Sequence, residues 1–124
     1  MKQRVLVIDD DRLVADTLNL IFQANGYESE AVYSAAEGLA RARTFDPGLL
    51  LCDITMPEET GLQLAEKLQR EMPHCKLLML TAYSSNAIKV EQHVTRTQRP
   101  LKFLNKPCRP EVLLRAAHDL LQTA

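Results

Sequence analysis

Short hydrophobic runs spaced along the chain are the feature that most constrains its fold. Residues 5–8, 49–52, 77–80 and 101–104 form four such runs, and none of them is long enough to make a helix. Runs of this length, bounded by polar residues, are typical of β-strands that are buried on both faces of a parallel sheet. The segments between the runs carry helical periodicity. Strands that alternate with helices predict parallel strands joined by right-handed crossovers.

Four helices are predicted from capping signals and from apolar residues at helical spacing. The first helix is predicted to begin at a cap at Asp10 or Asp11 and to end at Asn25 and Gly26, and the second to begin at a capping box at Ser34 and Glu37 and to end at a break at 46–48. The third is predicted to begin at another capping box, at Thr60 and Gln63, and to end before Pro73. The last is predicted to begin at Pro110. The residues predicted to face inward are Val14, Leu18, Ile21 and Phe22, then Ala36, Leu39 and Ala40, then Leu62, Ala65, Leu68 and Met72, and finally Val112, Leu113, Ala116, Ala117, Leu120 and Leu121.

One further segment, residues 28–32, alternates more and is more polar than the four runs. It therefore predicts a strand at an edge of the sheet, which favours the strand order 2-1-3-4-5. Residues 84–100 keep a helical period in their first half only, and with that helix the strands and helices alternate five times. We predict a single doubly wound, flavodoxin-like α/β domain over residues 1–124, with helices on both faces of a five-stranded parallel sheet.

Composition and charge exclude several classes of function. The net charge is -1 and the sequence pI is near 6.3, so no overall positive field favours binding to nucleic acid or to an anionic membrane. The apolar run that precedes Asp9 has only four residues, too few for a signal peptide or a membrane span. The three cysteines are odd in number and lack paired spacing, which indicates a reducing, cytoplasmic setting. Cys52 is predicted to be buried packing and not a redox sensor.

Polar residues able to handle a phosphoryl group follow the four hydrophobic runs. They are Asp9 and Asp10, then Asp53, then Thr81, then Lys106. The carboxyl ends of parallel strands meet at one edge of a sheet, so these side chains are expected to lie together. Clustered carboxylates repel one another, and Mg²⁺, which binds carboxylate and phosphate oxygens, removes that repulsion. Asp53 could then attack phosphorus, with the hydroxyl and the ammonium stabilising the transferred group. Taken alone, the acids after the first run could equally be a helix cap, and the third of them is expected to be only that.

The same residues lie within motifs that resemble the receiver domain of two-component response regulators, the CheY-like family. The resemblance covers the whole chain, and its specificity comes from the ordered set of motifs with helices between them. The matching segments are Val7-Ile8-Asp9-Asp10-Asp11, Leu51-Cys52-Asp53-Ile54-Thr55-Met56-Pro57 with Gly61, Leu80-Thr81-Ala82, and Asn105-Lys106-Pro107.

The resemblance implies that Asp53 is the phosphoacceptor, which takes a phosphoryl group from a phosphohistidine on a sensor histidine kinase or a phosphotransfer protein. It implies that Asp10, Asp53 and the backbone carbonyl of Thr55 bind Mg²⁺ directly, while Asp9 acts mainly through water. Thr55 and Tyr83 would tune the rate of self-catalysed dephosphorylation. The domain is then a phosphorylation switch, not an enzyme with a substrate of its own.

The resemblance also implies how the signal leaves the site. Thr81 and Lys106 would bind the phosphoryl group, and Phe103 would be the switch aromatic, whose ring turns inward as Thr81 moves. The bond before Pro107 is the one that the family usually has in the cis form. The surface formed by the fourth helix, fifth strand and fifth helix would repack for output. The interval from Thr81 to Lys106 is longer than is usual in the family, which leaves the output partner and a dimer through this surface open.

Two other functions fit parts of the sequence. A small phosphohydrolase with an aspartyl-phosphate intermediate would match the Asp-x-Thr pattern at Asp53 and Thr55. The chain lacks the cap domain of such enzymes and has no acid two residues after Asp53 to act as a general acid. A receiver-like scaffold that is never phosphorylated is the third possibility, and the complete set of acids, hydroxyl and lysine argues against it.

Overall fold

A computed structural model of the protein describes residues 2–54, 61–81, 102–106 and 108–122. The strands within these ranges are β1 (Arg4–Ile8), β2 (Glu28–Val32), β3 (Leu49–Asp53), β4 (Lys76–Thr81) and β5 (Lys102–Asn105). The helices within them are α1 (Arg12–Ala24), α2 (Ala35–Phe45), α3 (Gly61–Glu71) and α4 (Pro110–Gln122). The helix predicted in the first half of 84–100 lies outside the described residues, so α4 is the fifth helix of the sequence prediction.

The five strands lie parallel in one sheet, in the order β2-β1-β3-β4-β5. This order confirms the sequence prediction, including the edge position of the polar strand β2. The direction of winding reverses between β1 and β3, where open α/β sheets bind their ligands. The acidic residues that follow β1 and end β3 therefore flank the switch point of the sheet.

Local hydrogen bonds explain where α1 and α2 begin, and a glycine explains where α1 ends. Asp11 caps α1, because its side chain accepts a hydrogen bond from a backbone N–H of the first turn. Gly26 follows the end of α1 at a φ of 91°, a conformation that glycine adopts without a steric penalty. Ser34 caps α2 by accepting a hydrogen bond from the backbone N of Glu37, whose carboxylate in turn accepts one from the backbone N of Tyr33. Both predicted caps are confirmed.

The hydrophobic core forms two layers, one on each face of the sheet. Successive residues of a strand point to opposite faces, so Val5 and Val7 pack against α1 and α4. Leu6 and Ile8 pack against α2 and α3 on the other face. Every residue of β3 is buried. The strands at the centre of the sheet are thus held from both sides, which makes their carboxyl ends a rigid base for a site.

The predicted inward face of α2 is wrong in part. Ala36 and Ala40 are exposed, and the residues of α2 that face the sheet include Gly38 and Phe45. A β-carbon at position 38 would overlap the side chain of Ile8. The inward position is therefore occupied by glycine, which a search for apolar side chains does not detect.

The other helices agree more closely with the sequence prediction. Leu113, Ala116 and Ala117 of α4 are buried as expected, but Val112, also predicted to face inward, is 46% exposed. Val112 lies instead in a surface groove that Lys102 also lines.

No helix in the described part of the chain combines the length and the apolar character needed to cross a membrane.

Candidate functional site

The carboxyl edge of the sheet gathers the residues singled out in the sequence. Asp9 follows β1, Asp53 ends β3, Thr81 ends β4 and Lys106 follows β5. Asp9 and Asp53 are only 1% and 8% exposed, and Thr81 is fully buried. The backbone N of Lys106 donates to the carbonyl oxygen of Thr81 at 2.8 Å, which ties the ends of β4 and β5 together. The site thus has a buried floor formed by strand ends.

Three carboxylates converge at this edge. Asp9, Asp10 and Asp53 each offer one oxygen, and these oxygens lie within 4.8 Å of one another. One oxygen of Asp9 also accepts a hydrogen bond from the backbone N of Asp11 at 2.9 Å, which orients its carboxylate. Asp10 is exposed, whereas the other two are buried. Three carboxylate oxygens at this spacing, open to solvent on one side, form a donor set of the kind that Mg²⁺ prefers.

Lys106 supplies the positive charge at the site. Its Nζ lies 2.8 Å from an oxygen of Asp9 and 3.4 Å from an oxygen of Asp53. Burial by itself lowers the pKa of Lys106, but the hydrogen bond to Asp9 and the charges of Asp53 and Asp9 outweigh burial and raise that pKa above its ordinary value. The lysine therefore stays charged at neutral pH and offsets part of the repulsion among the acids.

Phe103 lies on β5, and its side chain is on the same face of the sheet as the side chain of Thr81 on the neighbouring strand β4. It is paired in register with Met79, which lies two residues before Thr81, and residues two apart on a strand share a face. Phe103 is half-buried and packs against the core layer that contains α2 and α3. The ring is thus placed at the boundary between that core layer and the solvent.

Several predicted participants lie outside the described residues. These are Thr55 with its backbone carbonyl, Tyr83, and Pro107 with the bond before it. Cys52 is within the described residues, is 1% exposed, and donates from Sγ to the carbonyl oxygen of Asp53. Its burial agrees with the prediction that it packs in the core.

Gly61 is a residue of the site whose role the sequence analysis missed. Its backbone N donates to the carbonyl oxygen of Ile54 at 2.9 Å, so α3 begins directly behind the end of β3. A β-carbon at position 61 would overlap the carbonyl oxygen of Asp53 and press on the Cα atom of Ile54. Gly61 belongs to the motif that contains Asp53, but only the structure gives the physical reason for a glycine there.

Arg12, Asp16 and Tyr33 also have roles that the sequence analysis did not predict. The guanidinium of Arg12 lies 4.1 Å from the centre of the Tyr33 ring, and the Tyr33 hydroxyl donates to Asp16 at 2.7 Å. This hydrogen bond raises the pKa of the Tyr33 hydroxyl, with smaller contributions from desolvation and the charge of Asp16. The four-residue spacing of Arg12 and Asp16 was the only available signal, since it places both on one face of α1.

Comparisons with known proteins agree with this architecture. The family model described as "Response regulator receiver domain" matches residues 5–118. The transcriptional regulatory protein GlrR of Escherichia coli K12 is 31% identical over 119 residues, which are 95% of this chain and 26% of that protein. The response regulator MprA of Mycobacterium tuberculosis H37Rv is 33% identical over 123 residues, which are 98% of this chain and 52% of that protein. The chain thus spans between about a quarter and about half of the length of these relatives.

A solved structure extends the likeness to three dimensions. The CheY-like response regulator receiver domain protein of Methanospirillum hungatei JF-1 superposes with a TM-score of 0.86 at 30% sequence identity. The superposition covers 98% of this chain and 94% of that one. Since both the family model and this structure match nearly the whole chain, the protein belongs to the receiver domains of response regulators, which act as phosphorylation switches.

Proposed function

We propose that Asp53 accepts a phosphoryl group and that residues 1–124 form one receiver domain that this reaction switches. The observation that carries the proposal is the convergence of three carboxylate oxygens within 4.8 Å, with the Nζ of Lys106 at 2.8 and 3.4 Å from two of the acids. Among these acids, Asp53 ends the central strand β3. Its carboxylate is therefore the one on the most rigid support and is the best placed to act as a nucleophile.

Asp9, Asp10 and Asp53 would hold a Mg²⁺ ion, and the resemblance adds the backbone carbonyl of Thr55 as a further ligand. Hard carboxylate oxygens at this spacing fit the requirements of that ion. When bound, Mg²⁺ supplies charge neutralisation for the incoming phosphoryl oxygens and for the acids themselves. The exposure of Asp10 leaves an entrance for the donor.

The phosphoryl donor would be a phosphohistidine on a sensor histidine kinase or on a phosphotransfer protein. A carboxylate oxygen of Asp53 attacks phosphorus, the bond between phosphorus and the donor nitrogen breaks, and the nitrogen keeps the electron pair. Lys106 stabilises the negative charge on the phosphoryl oxygens, and the hydroxyl of Thr81 donates a hydrogen bond to one of them. The three cysteines are free, which suits the reducing cytoplasm where such donors act.

The switch would follow from the charge that the reaction adds. A phosphoryl group brings roughly -1.5 to -2 charges to the end of β3. Lys106 then exchanges its contact with Asp9 for the phosphoryl oxygens, and Thr81 moves toward the same group. Because Phe103 shares a face of the sheet with Thr81 and is half-buried, its ring can follow that movement inward. The surface around β5 and α4 would repack as a result.

Intact-mass analysis after incubation with acetyl phosphate and Mg²⁺ tests this proposal. We expect the mass of one phosphoryl group to be added to the parent and none to Asp53→Asn. Asp119→Asn is a matched control, because Asp119 is an exposed acid on α4, and it should be labelled like the parent. Labelling that persists in Asp53→Asn would contradict the assignment of the acceptor. Continuous hydrolysis of small phosphate esters would favour the phosphohydrolase instead.

A further inference from the structure

The contacts of Tyr33 link the start of α1 to the residue that follows β2. Arg12 and Asp16 are four residues apart on α1 and both reach Tyr33, the first through the face of its ring and the second through its hydroxyl. A cation over an aromatic face and a charge-assisted hydrogen bond are both attractive. The ring is therefore held at two points against the first turns of α1.

This contact lies directly beside the turn that carries the acids. The turn runs from Asp9 to Arg12, and at its first residue the backbone N of Asp9 donates to the carbonyl oxygen of Val32 at 3.3 Å. At its last residue, Arg12 stacks on Tyr33, which is the next residue after Val32. Both ends of the turn are thus attached to the end of β2 and the residue after it.

Asp10 lies between these two attachments. Within the described part of the chain, no hydrogen bond or ion pair holds its exposed carboxylate. Asp9, by contrast, is fixed by Lys106 and by the backbone N of Asp11. The direction of the Asp10 side chain therefore depends on the backbone of the turn. The far end of that turn begins α1 and contacts the ring of Tyr33 through the Arg12 side chain.

We propose that Tyr33 is a positioning residue for the metal site: clamped between Arg12 and Asp16, it fixes the turn that carries Asp10 and so sets the affinity for Mg²⁺. The inference rests on the proposed function, in which Asp10 is a ligand. Residues that orient metal ligands from outside the coordination sphere have large effects on affinity. Tyr33 would not itself be a ligand of the ion and acts only through the turn.

Calorimetric titration of the metal-free protein with Mg²⁺ tests the proposal. For Tyr33→Leu we expect a Kd about three- to tenfold higher than that of the parent. Tyr33→Phe keeps the ring beneath Arg12 and loses only an exposed hydrogen bond, so its Kd should stay within about twofold of the parent value. These substitutions change no formal charge at neutral pH, so a change in affinity reports geometry and not electrostatics.

Tyr27 offers a matched control, because it precedes β2 as Tyr33 follows it. Its ring packs edge-on against Phe22, with 5.4 Å between the ring centres, at the end of the strand away from the acids. Tyr27→Leu should lower the thermal stability and leave the Kd for Mg²⁺ unchanged. An equal rise in Kd for Tyr27→Leu and Tyr33→Leu would overturn the proposal, because it would show general loosening of the fold.

Arg12→Leu serves if Tyr33→Leu does not fold. Removing a positive charge near the acids would by itself tighten Mg²⁺ binding, so a weaker affinity in Arg12→Leu supports the positioning role and an unchanged or tighter one overturns it. The dependence of acetyl phosphate labelling on Mg²⁺ separates this inference from the proposed function. If the parent is labelled and a folded Tyr33→Leu shows the same dependence on Mg²⁺, the inference about Tyr33 is wrong and the proposed function stands. If the parent neither binds Mg²⁺ nor is labelled, both the inference and the proposed function are wrong.

Discussion

The Nζ atom of Lys106 lies 2.8 Å from a carboxylate oxygen of Asp9, so an ion pair joins the residue after the last strand to the residue after the first. β1 and β5 are not neighbours, because β3 and β4 lie between them. The lysine side chain therefore extends across the carboxyl edge of the sheet, and its Nζ also lies 3.4 Å from a carboxylate oxygen of Asp53. An ammonium in this position would compete with a bound cation for the same carboxylates, and it would be close enough to contact the proposed phosphoryl group on Asp53.

Lys106→Met should destabilise the protein in the absence of divalent cations. The substitution leaves the buried Asp9 carboxylate without its ion-pair partner and restores repulsion among the acids, which we expect to cost about 2 kcal/mol. Added Mg²⁺ should recover much of this loss and raise the Tm of the variant more than that of the parent. Thermal unfolding with and without Mg²⁺ measures the effect. Lys102 is an exposed lysine on β5, so the control variant Lys102→Met should behave like the parent.

The contribution of Lys106 to stability should disappear at alkaline pH. Its folded-state pKa lies above the ordinary value of 10.5, because the hydrogen bond to Asp9 and the nearby charges outweigh desolvation. The stabilisation is therefore fully present below pH 10.5 and is lost as the pH rises through the folded-state pKa. Denaturant titrations of the parent and Lys106→Met, without Mg²⁺, should give free energies of unfolding that differ at pH 7 and converge above that pKa. A constant difference across this range would contradict the assignment.

The edge that holds the acids could be predicted because the polar residues follow hydrophobic runs, either directly, as Asp9 and Asp53 do, or after one residue, as Lys106 does. The rule that parallel strands end at the same edge then brings Asp9, Asp53 and Lys106 together without any knowledge of distances. The inward face of α2 could not be predicted in the same way. Gly38 has no side chain, and its inward position depends on the space that Ile8 occupies across the layer.

The clamp at Tyr33 could not be predicted from the sequence for a related reason. Tyr33 is 17 residues from Asp16, and neither residue belongs to a hydrophobic pattern that would indicate which neighbour it contacts. Contacts of this kind depend on how α1 lies against β2, which is set by packing of the core. The strand periodicity specifies the layers, whereas polar contacts at the edges of the layers require the structure.

Gly61→Ala should disturb both stability and phosphoryl acceptance. A β-carbon at this position would overlap the carbonyl oxygen of Asp53, a backbone atom that cannot rotate away. We expect a loss of about 1–3 kcal/mol, net of the small gain in helix propensity. Because the strain falls on the residue that carries the proposed acceptor, labelling by acetyl phosphate should also slow. Denaturant titration and timed intact-mass measurements provide the two readouts.

Gly26→Ala is the control for Gly61→Ala. No atom lies within 4 Å of a β-carbon at position 26, but the backbone φ of 91° strains any residue with a side chain. We expect a loss of about 1–2 kcal/mol with no change in the rate of labelling. A similar slowing of labelling in both variants would show that stability, not the position of Asp53, controls the rate.

The cysteines should differ strongly in reactivity in the folded protein. Burial, with a smaller contribution from the charge of Asp46, raises the pKa of the Cys75 thiol to about 12. At pH 8 its thiolate fraction is then on the order of a thousandfold below that of an ordinary cysteine, and the thiolate is the reactive form. Cys108 is only half-buried, and burial raises its pKa, so it should react first, though more slowly than a free thiol. Mass-resolved alkylation at pH 8 should label Cys108 in the native protein and should label Cys75 only after a denaturant is added. Rapid labelling of Cys75 in the native protein would contradict this expectation and would show that the end of the sheet opposite the acids opens in solution.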